Sequence, residues 1–215
     1  MLITYHGHSE FYLEGAGGFA LLTDPYDKSV GYPMGEYRAD AVTVTHSHGD
    51  HNYTAKATGN PAVIDKAGEW YPAPEVKVTA IPSVHDTEGG AKRGPNLIMK
   101  IEMEGLTIVH LGDQGAPLTA EQTKAIEHAD ILMIPIGGFF TIDSKTAYET
   151  VQAVKPRVVI PMHYKTSVNA GWPISDEKEF LRLMRAENVS PMPLLRVTKQ
   201  DLSEQPALAL MQAKA

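Results

Sequence analysis

Apolar residues in the first half of the chain come in short runs broken by turn-forming residues, a spacing that predicts strands. Met1–Tyr5, Phe11–Glu14 and Phe19–Thr23 open the series, and Gly15-Ala16-Gly17-Gly18 supplies a turn between the last two. Ala41–Thr45 (AVTVT) is rich in β-branched residues and bounded by Asp40 and a polar loop, which suits a buried strand. Ala62–Ile64, Val76–Ile81, Leu97–Met103 and Leu106–Leu111 read in the same way, with Glu104-Gly105 as a hairpin turn before the last.

The pattern then changes to alternating helix and strand. Thr119 starts a helix, and Gln122 stands where it completes a capping box. Ile131–Ile136 is a strand. Asp143 or Ser144 caps a helix that carries Ala147, Val151 and Val154 on one face and stops before Pro156. Val158–Ile160 is a strand, Ser175 caps a last helix bearing Phe180, Leu183 and Met184, and Ala207–Met211 returns as an edge strand. Strands first and α/β alternation later predict two packed sheets with helices outside.

The 215 residues suffice for one domain with a large core, and no linker or low-complexity segment divides them, so residues 1–215 are expected to form a single domain. A net charge of -7 disfavours a polyanionic nucleic-acid partner. The chain has no cysteine, so any metal it binds must take nitrogen and oxygen ligands. No signal peptide and no apolar stretch of spanning length is evident, which sets the expectation of a cytoplasmic protein away from the membrane. Nothing in the sequence decides its oligomeric state.

Nine histidines make the positions of each worth reading. Thr45-His46-Ser47-His48-Gly49-Asp50-His51-Asn52 directly follows the predicted strand Ala41–Thr45. Three imidazoles and a carboxylate delivered into one loop are costly to desolvate unless a cation pairs with them. Gly49 lets the backbone bend between them. His46 and His48 can face one ion from a turn, and Asp50 and His51 can face a second.

The H-x-H-x-D-H pattern resembles the metal-binding motif of the metallo-β-lactamase superfamily. That resemblance requires three further ligands after later strands, and His85, Asp113 and His163 occur in the required order, in PSVHD, HLGDQG and IPMHYK. It implies an α/β fold, the αββα sandwich of two mixed sheets with helices on the outer faces. It also implies that His46, His48 and His85 hold one ion, that Asp50, His51 and His163 hold another, and that Asp113 bridges the two. The cofactors expected are two divalent ions: zinc first, with manganese and iron also compatible with such ligands. The reaction implied is hydrolysis of a small ester, lactone or phosphoester by a metal-bridging hydroxide, with Asp50 as the catalytic proton acceptor.

Gly7-His8-Ser9, Thr23-Asp24-Pro25, Pro135–Thr141 and Pro161-Met162-His163-Tyr164 are similar to a broad bacterial group that includes L-ascorbate-6-phosphate lactonase. In that group's pattern Asp24 orients the metal loop without touching metal; as a residue before Pro25 it can equally be a turn. Asn96 and Lys165 are candidate substrate contacts, each with a turn or solvated role as the alternative. His6 and His8 read as rim or structural residues, and His110 as a buried, hydrogen-bonded one. The Gly137-Gly138-Phe139-Phe140 segment either lines the site or packs into the core. Two other functions fit the same ligand set: a nuclease, and an iron-loaded oxidoreductase.

Overall fold

The structure, a computed structural model, describes residues 1–214. The strands in chain order are β1 (Leu2–Gly7), β2 (Glu10–Glu14), β3 (Ala20–Thr23), β4 (Tyr37–Arg38), β5 (Ala41–Thr43), β6 (Ala57–Thr58) and β7 (Ala62–Ile64). They continue as β8 (Gly68–Ala73), β9 (Val76–Val84), β10 (Pro95–Met103), β11 (Leu106–His110), β12 (Ile131–Pro135), β13 (Val158–Met162) and β14 (Leu195–Arg196). Three α-helices accompany them: α1 (Ala120–Ile126), α2 (Ser144–Val154) and α3 (Lys178–Leu183).

Two six-stranded sheets result, ordered β14-β1-β2-β3-β5-β7 and β13-β12-β11-β10-β9-β8. Both repeat one pairing scheme. Four strands are joined antiparallel, β14 through β3 in one sheet and β8 through β11 in the other. Two more then add in parallel, β5 and β7 or β12 and β13. No repeat of residues announces this equivalence of the sheets.

Strand alternation builds the layers. Met99 and Ile101 of β10, Ile108 of β11, Ile131 and Met133 of β12, and Val158 and Ile160 of β13 meet Ile3, Phe11, Leu13 and Leu21 in the central core. The intervening residues Ile98, Val109, Leu132, Ile134 and Val159 face outward, beneath Ala147, Val151 and Val154 of α2 and Phe180 of α3. All three helices share this second cluster. The outer face of the first sheet is covered differently: Leu22, Val42 and Val44 pack with Ala39, Tyr37 of β4 and Ala57 of β6. The αββα expectation therefore holds for the two sheets and for the helical layer over the second.

Local signals behave as their chemistry requires. Thr119 and Gln122 form the capping box, and Asp143 caps α2 by accepting Thr146 N–H at 2.8 Å. Glu104 and Gly105 both take positive φ in the β10–β11 turn. Two expectations are corrected. The last helix starts at Lys178, and it is Asp176, not Ser175, that accepts the Lys178 N–H. Ala207–Met211 makes only isolated bridges, Leu208 to Val159 and Met211 to Met192, because its backbone hydrogen bonds go first to Val159 and then to Met192 and follow neither partner further.

Candidate metal centre

Each ligand candidate stands where a strand ends on the same edge of the sandwich. His8 follows β1, His46 to His51 follow β5, His85 follows β9, Asp113 follows β11, and His163 follows β13. Three residues at these ends have a left-handed backbone: His8 (φ 59°), Asp24 (φ 39°) and His163 (φ 50°). Such geometry is uncommon outside glycine and tends to concentrate at functional sites. Here it turns the chain sharply as it leaves the strand. Gly137 makes room for the turn at His163, since a Cβ there would lie 2.3 Å from the His163 carbonyl oxygen. The Gly137 segment thus serves the site with its backbone.

Three groups of side chains form, one of them Asp24 with His46 and His51, and the other two carry most of the ligand candidates. One ligand atom each of His46, His48 and His85 lie within 4.8 Å of one another, and so do those of His8, Asp50, His51 and His163. Asp113 stands between them. Its Oδ2 is 3.1 Å from His85 Nε2, 3.3 Å from His163 Nε2 and 3.8 Å from His46 Nε2, while Oδ1 is 3.2 Å from His51 Nε2. All seven residues of the sequence-derived set are therefore brought together.

His8 joins them, against the expectation of a rim role. Its Nε2 lies 3.2 Å from Asp50 Oδ2 and 3.1 Å from His51 Nε2, and its side chain is fully buried. The nearby Glu10 is spent on His6 and Lys56, and the carboxylate that His8 meets comes from 42 residues away. His6 is structural as expected, with Nδ1 bonded to Glu10 Oε1 at 2.8 Å, and Glu10 also pairs with the buried Lys56 at 2.6 Å.

Asp24 fixes the metal loop from behind. Its Oδ1 accepts the Thr45 N–H at 2.8 Å, and its Oδ2 accepts the Thr45 hydroxyl at 2.6 Å and His51 Nδ1–H at 2.8 Å. With a proton held on Nδ1, the Nε2 of His51 faces Asp113 and His8. His110 ties the sheets together: Nε2–H donates to the Ser9 carbonyl at 2.8 Å while Nδ1 accepts Gly112 N–H at 3.1 Å.

The electrostatics are those of a site built around a cation. Burial pushes His8 down to about 4 and His46 down to about 3, so both present neutral imidazoles. Burial works against a charged His51 as well, but the Asp113 and Asp24 carboxylates outweigh it and raise its pKa well above the usual value. Asp113 resists the upward push of burial because His163 and His51 surround it, and it stays ionised. Asp50 is likewise held ionised against burial by His8 and His51. His46 Nε2 and Asp113 Oδ1 are buried without a hydrogen-bond partner. An orphaned imidazole nitrogen and an orphaned carboxylate oxygen buried in one cluster, without cysteine, make a donor set that fits a borderline first-row divalent metal.

A cavity of about 350 Å³ opens onto this centre. His48, Asp50, His85, Asp113 and His163 form its floor, and Arg93, Phe140 and Trp172 stand in its walls. Neither substrate-contact expectation survives. Asn96 is buried with its amide fully engaged: Nδ2 donates to Ser83 Oγ and the Leu111 carbonyl, and Oδ1 accepts Asp113 N–H at 3.0 Å. It positions Asp113. Lys165 lines a separate cavity with Tyr5, Tyr32 and Glu177, because the chain turns away after His163. Sequence reasoning missed Arg93 and Trp172, and the only available signal was their nearness in sequence to His85 and His163.

A family model described as a beta-lactamase superfamily domain matches residues 2–163. A Thermotoga maritima protein of the metallo-β-lactamase superfamily superposes with a TM-score of 0.79 and 31% identity, covering 98% of this chain and 97% of that one. The chain belongs to the metallo-β-lactamase superfamily. Among its superfamily relatives, the UPF0173 metal-dependent hydrolase of Pyrococcus furiosus is 32% identical over 85% of this chain and 91% of its own length. A metallo hydrolase from Ignicoccus hospitalis shares the superfamily fold with a TM-score of 0.65 at 22% identity, over 92% of this chain and 99% of that one. The present superfamily member is accordingly a metal-dependent hydrolase. Among the described residues no helix is long and apolar enough to cross a membrane.

Proposed function

We propose that the protein is a binuclear hydrolase of small esters, lactones or phosphoesters. His46, His48 and His85 would hold one ion, Asp50, His51, His163 and His8 the other, and Asp113 would contact both. Zinc suits this donor set best, and manganese or iron also fits. Divalent ions held there supply Lewis acidity to a scissile carbonyl or phosphoryl oxygen and make water nucleophilic near neutral pH.

The chain's own contribution is to orient and to move a proton. Asp113 has a side chain only 2% exposed, with its oxygens ringed by the imidazoles of His85, His163 and His51, which suits it to hold metal. Asp50 is 24% exposed on the cavity floor and ionised, which makes it the group to accept and relay the proton of the attacking water. Asp24 and Asn96 hold His51 and Asp113 in place. Phe140 and Trp172 narrow the cavity and exclude solvent from its walls.

The observation that carries this reading is a cavity of about 350 Å³ opening directly onto the paired His/Asp clusters, room for a small molecule. The test combines elemental analysis with a screen of p-nitrophenyl esters, bis-p-nitrophenyl phosphate and lactones. About two metal ions per chain are expected, with turnover of one substrate class removed by chelator and restored by zinc or manganese. A metal-replete protein inert toward all three classes would overturn the hydrolytic assignment, and one ion per chain would overturn the binuclear one.

A further inference from the structure

The cavity holds one permanent cation that the hydrolytic mechanism leaves unused. Arg93 lines its wall, and among the described residues no carboxylate lies within ion-pair distance of the guanidinium and no acceptor takes a hydrogen bond from it. Its central carbon instead lies 5.6 Å from the ring centre of Phe140 and 5.9 Å from that of Phe139. Contact with aromatic rings leaves the guanidinium's N–H donors unspent.

The loop beneath Arg93 is rigid. The buried Asp86 carboxylate accepts four backbone N–H groups: Glu88 at 2.8 Å and Gly90 at 2.9 Å on Oδ1, Lys92 at 2.9 Å and Arg93 at 2.8 Å on Oδ2. The loop is closed further by Gly94 N–H to the Gly90 carbonyl at 2.9 Å and His85 N–H to the Gly94 carbonyl at 3.1 Å. A surface arginine needs no such support. One aimed at a ligand does, because fixing it beforehand lowers the ordering cost of binding.

We propose that Arg93 forms an oxyanion subsite, so that the substrate carries a carboxylate or phosphate group, apart from its scissile bond, that pairs with the guanidinium while its body lies against Phe140 and Trp172. The substrate class follows from the planar, fork-like donors, which match the oxygens of either anion. Lys165, in its separate cavity, plays no part in this recognition. As a statement about turnover this rests on the hydrolytic reading above; as a statement about binding it does not.

The metal-loaded wild type, Arg93→Gln and Arg93→Lys are to be compared in two ways. Binding of benzoate, phenyl phosphate and neutral benzamide is followed by calorimetry. Turnover is measured on p-nitrophenyl hemisuccinate and the uncharged p-nitrophenyl acetate. Arg93→Gln should weaken at least one anion by about tenfold or more, the fold-change expected for a hydrogen bond to a charged group. It should lower kcat/KM for the hemisuccinate to a similar degree while leaving benzamide and the acetate within about twofold. Arg93→Lys should retain part of the anion affinity. The anion that suffers more identifies the carboxylate or the phosphate as the natural group. Equal losses on charged and neutral ligands, or no loss on either anion, would overturn the subsite. A wild type that hydrolyses neither ester, nor bis-p-nitrophenyl phosphate or lactones, yet binds anions through Arg93 would sink the hydrolytic reading and leave the subsite standing.

Discussion

Replacing Asp24 by asparagine should strip metal from the centre without dismantling the fold around it. The backbone at Asp24 is left-handed, φ 39°, a conformation asparagine tolerates and alanine does not, so the substitution isolates the side chain. Both carboxylate oxygens are used. Oδ1 accepts the Thr45 N–H, and Oδ2 accepts the Thr45 hydroxyl and His51 Nδ1–H. An amide keeps one acceptor and puts donors in place of the other. Directed at Thr45 N–H, those donors leave two N–H groups opposed in a fully buried place, at about 1–3 kcal/mol. Directed at His51, they oblige Nδ1 to accept, which moves the imidazole proton to Nε2 and blocks the lone pair that faces Asp113 and His8. Changes of this kind behind a ligand cost about 10–100-fold in metal affinity. The assay is competition for zinc against a chromogenic chelator, alongside thermal melting of the metal-free chain. An unchanged zinc affinity in Asp24→Asn, with a normal melting curve, would refute the role given to this carboxylate.

Other consequences concern acid, packing and the two charged residues near the centre. In the metal-free chain, His8 and His46 have folded pKa values below the ordinary 6.5, so they favour the folded state fully above pH 6.5 and lose that contribution as pH falls from 6.5 toward about 4 and about 3. The shift at His8 corresponds to about 3 kcal/mol when complete. The depressed Asp24 and Asp113 extend the loss below the carboxylate range, whereas the raised His51 adds stability that is lost only as pH climbs through its own elevated pKa. Urea unfolding of chelated protein should therefore give lower stability at pH 5 than at pH 7, and equal values would contradict the burial argument. Gly115→Ala should lower the melting temperature sharply, at about 3 kcal/mol or more, because a Cβ there would lie 2.1 Å from the backbone carbon of His85, while Gly17→Ala, with open space around it, should be neutral. Asp113→Ala should reduce metal content at both sites before any substrate is added, and Lys165→Ala should change neither metal content nor turnover of charged esters; a charge-selective loss in the latter would restore Lys165 to the substrate site.

What was legible in the sequence is what strands and short motifs encode locally. His46 to His51 share a loop, and His85, Asp113 and His163 each end a period-two or continuous apolar run, so their order along the chain sufficed to gather them. The capping residues of α1 and α2 act within one turn and were equally plain. His8 escaped because its partners, Asp50 and His51, lie 42 and 43 residues away and no local pattern encodes that approach. Asn96 was misread for the same reason: its amide is consumed by Ser83 and Leu111, neighbours only across the sheet. The edge strand β8 (GEWYPA) holds Gly68 and Glu69, is interrupted by Pro72 and is buried only in part, so it forms no continuous or alternating apolar run. The cover over the outer face of the first sheet also has a tertiary origin, since Tyr37 and Ala57, which pack with Val42 and Val44, belong to β4 and β6, paired with one another from distant parts of the chain.

The proposed ligands are divided between the two sheets. His8, His46, His48, Asp50 and His51 leave the first, and His85, Asp113 and His163 leave the second. Neither half can complete either coordination set, because His85 must cross to His46 and His48, and His163 to Asp50 and His51. A chain whose sheets have formed but not yet docked presents partial sets that hold an ion loosely, and tight retention begins only when the sandwich closes. On the proposed binuclear reading, metal retention would be a record of finished assembly: a molecule arrested half-closed would lose its ions and stay inert, and the catalytic population would sort itself from the misassembled one.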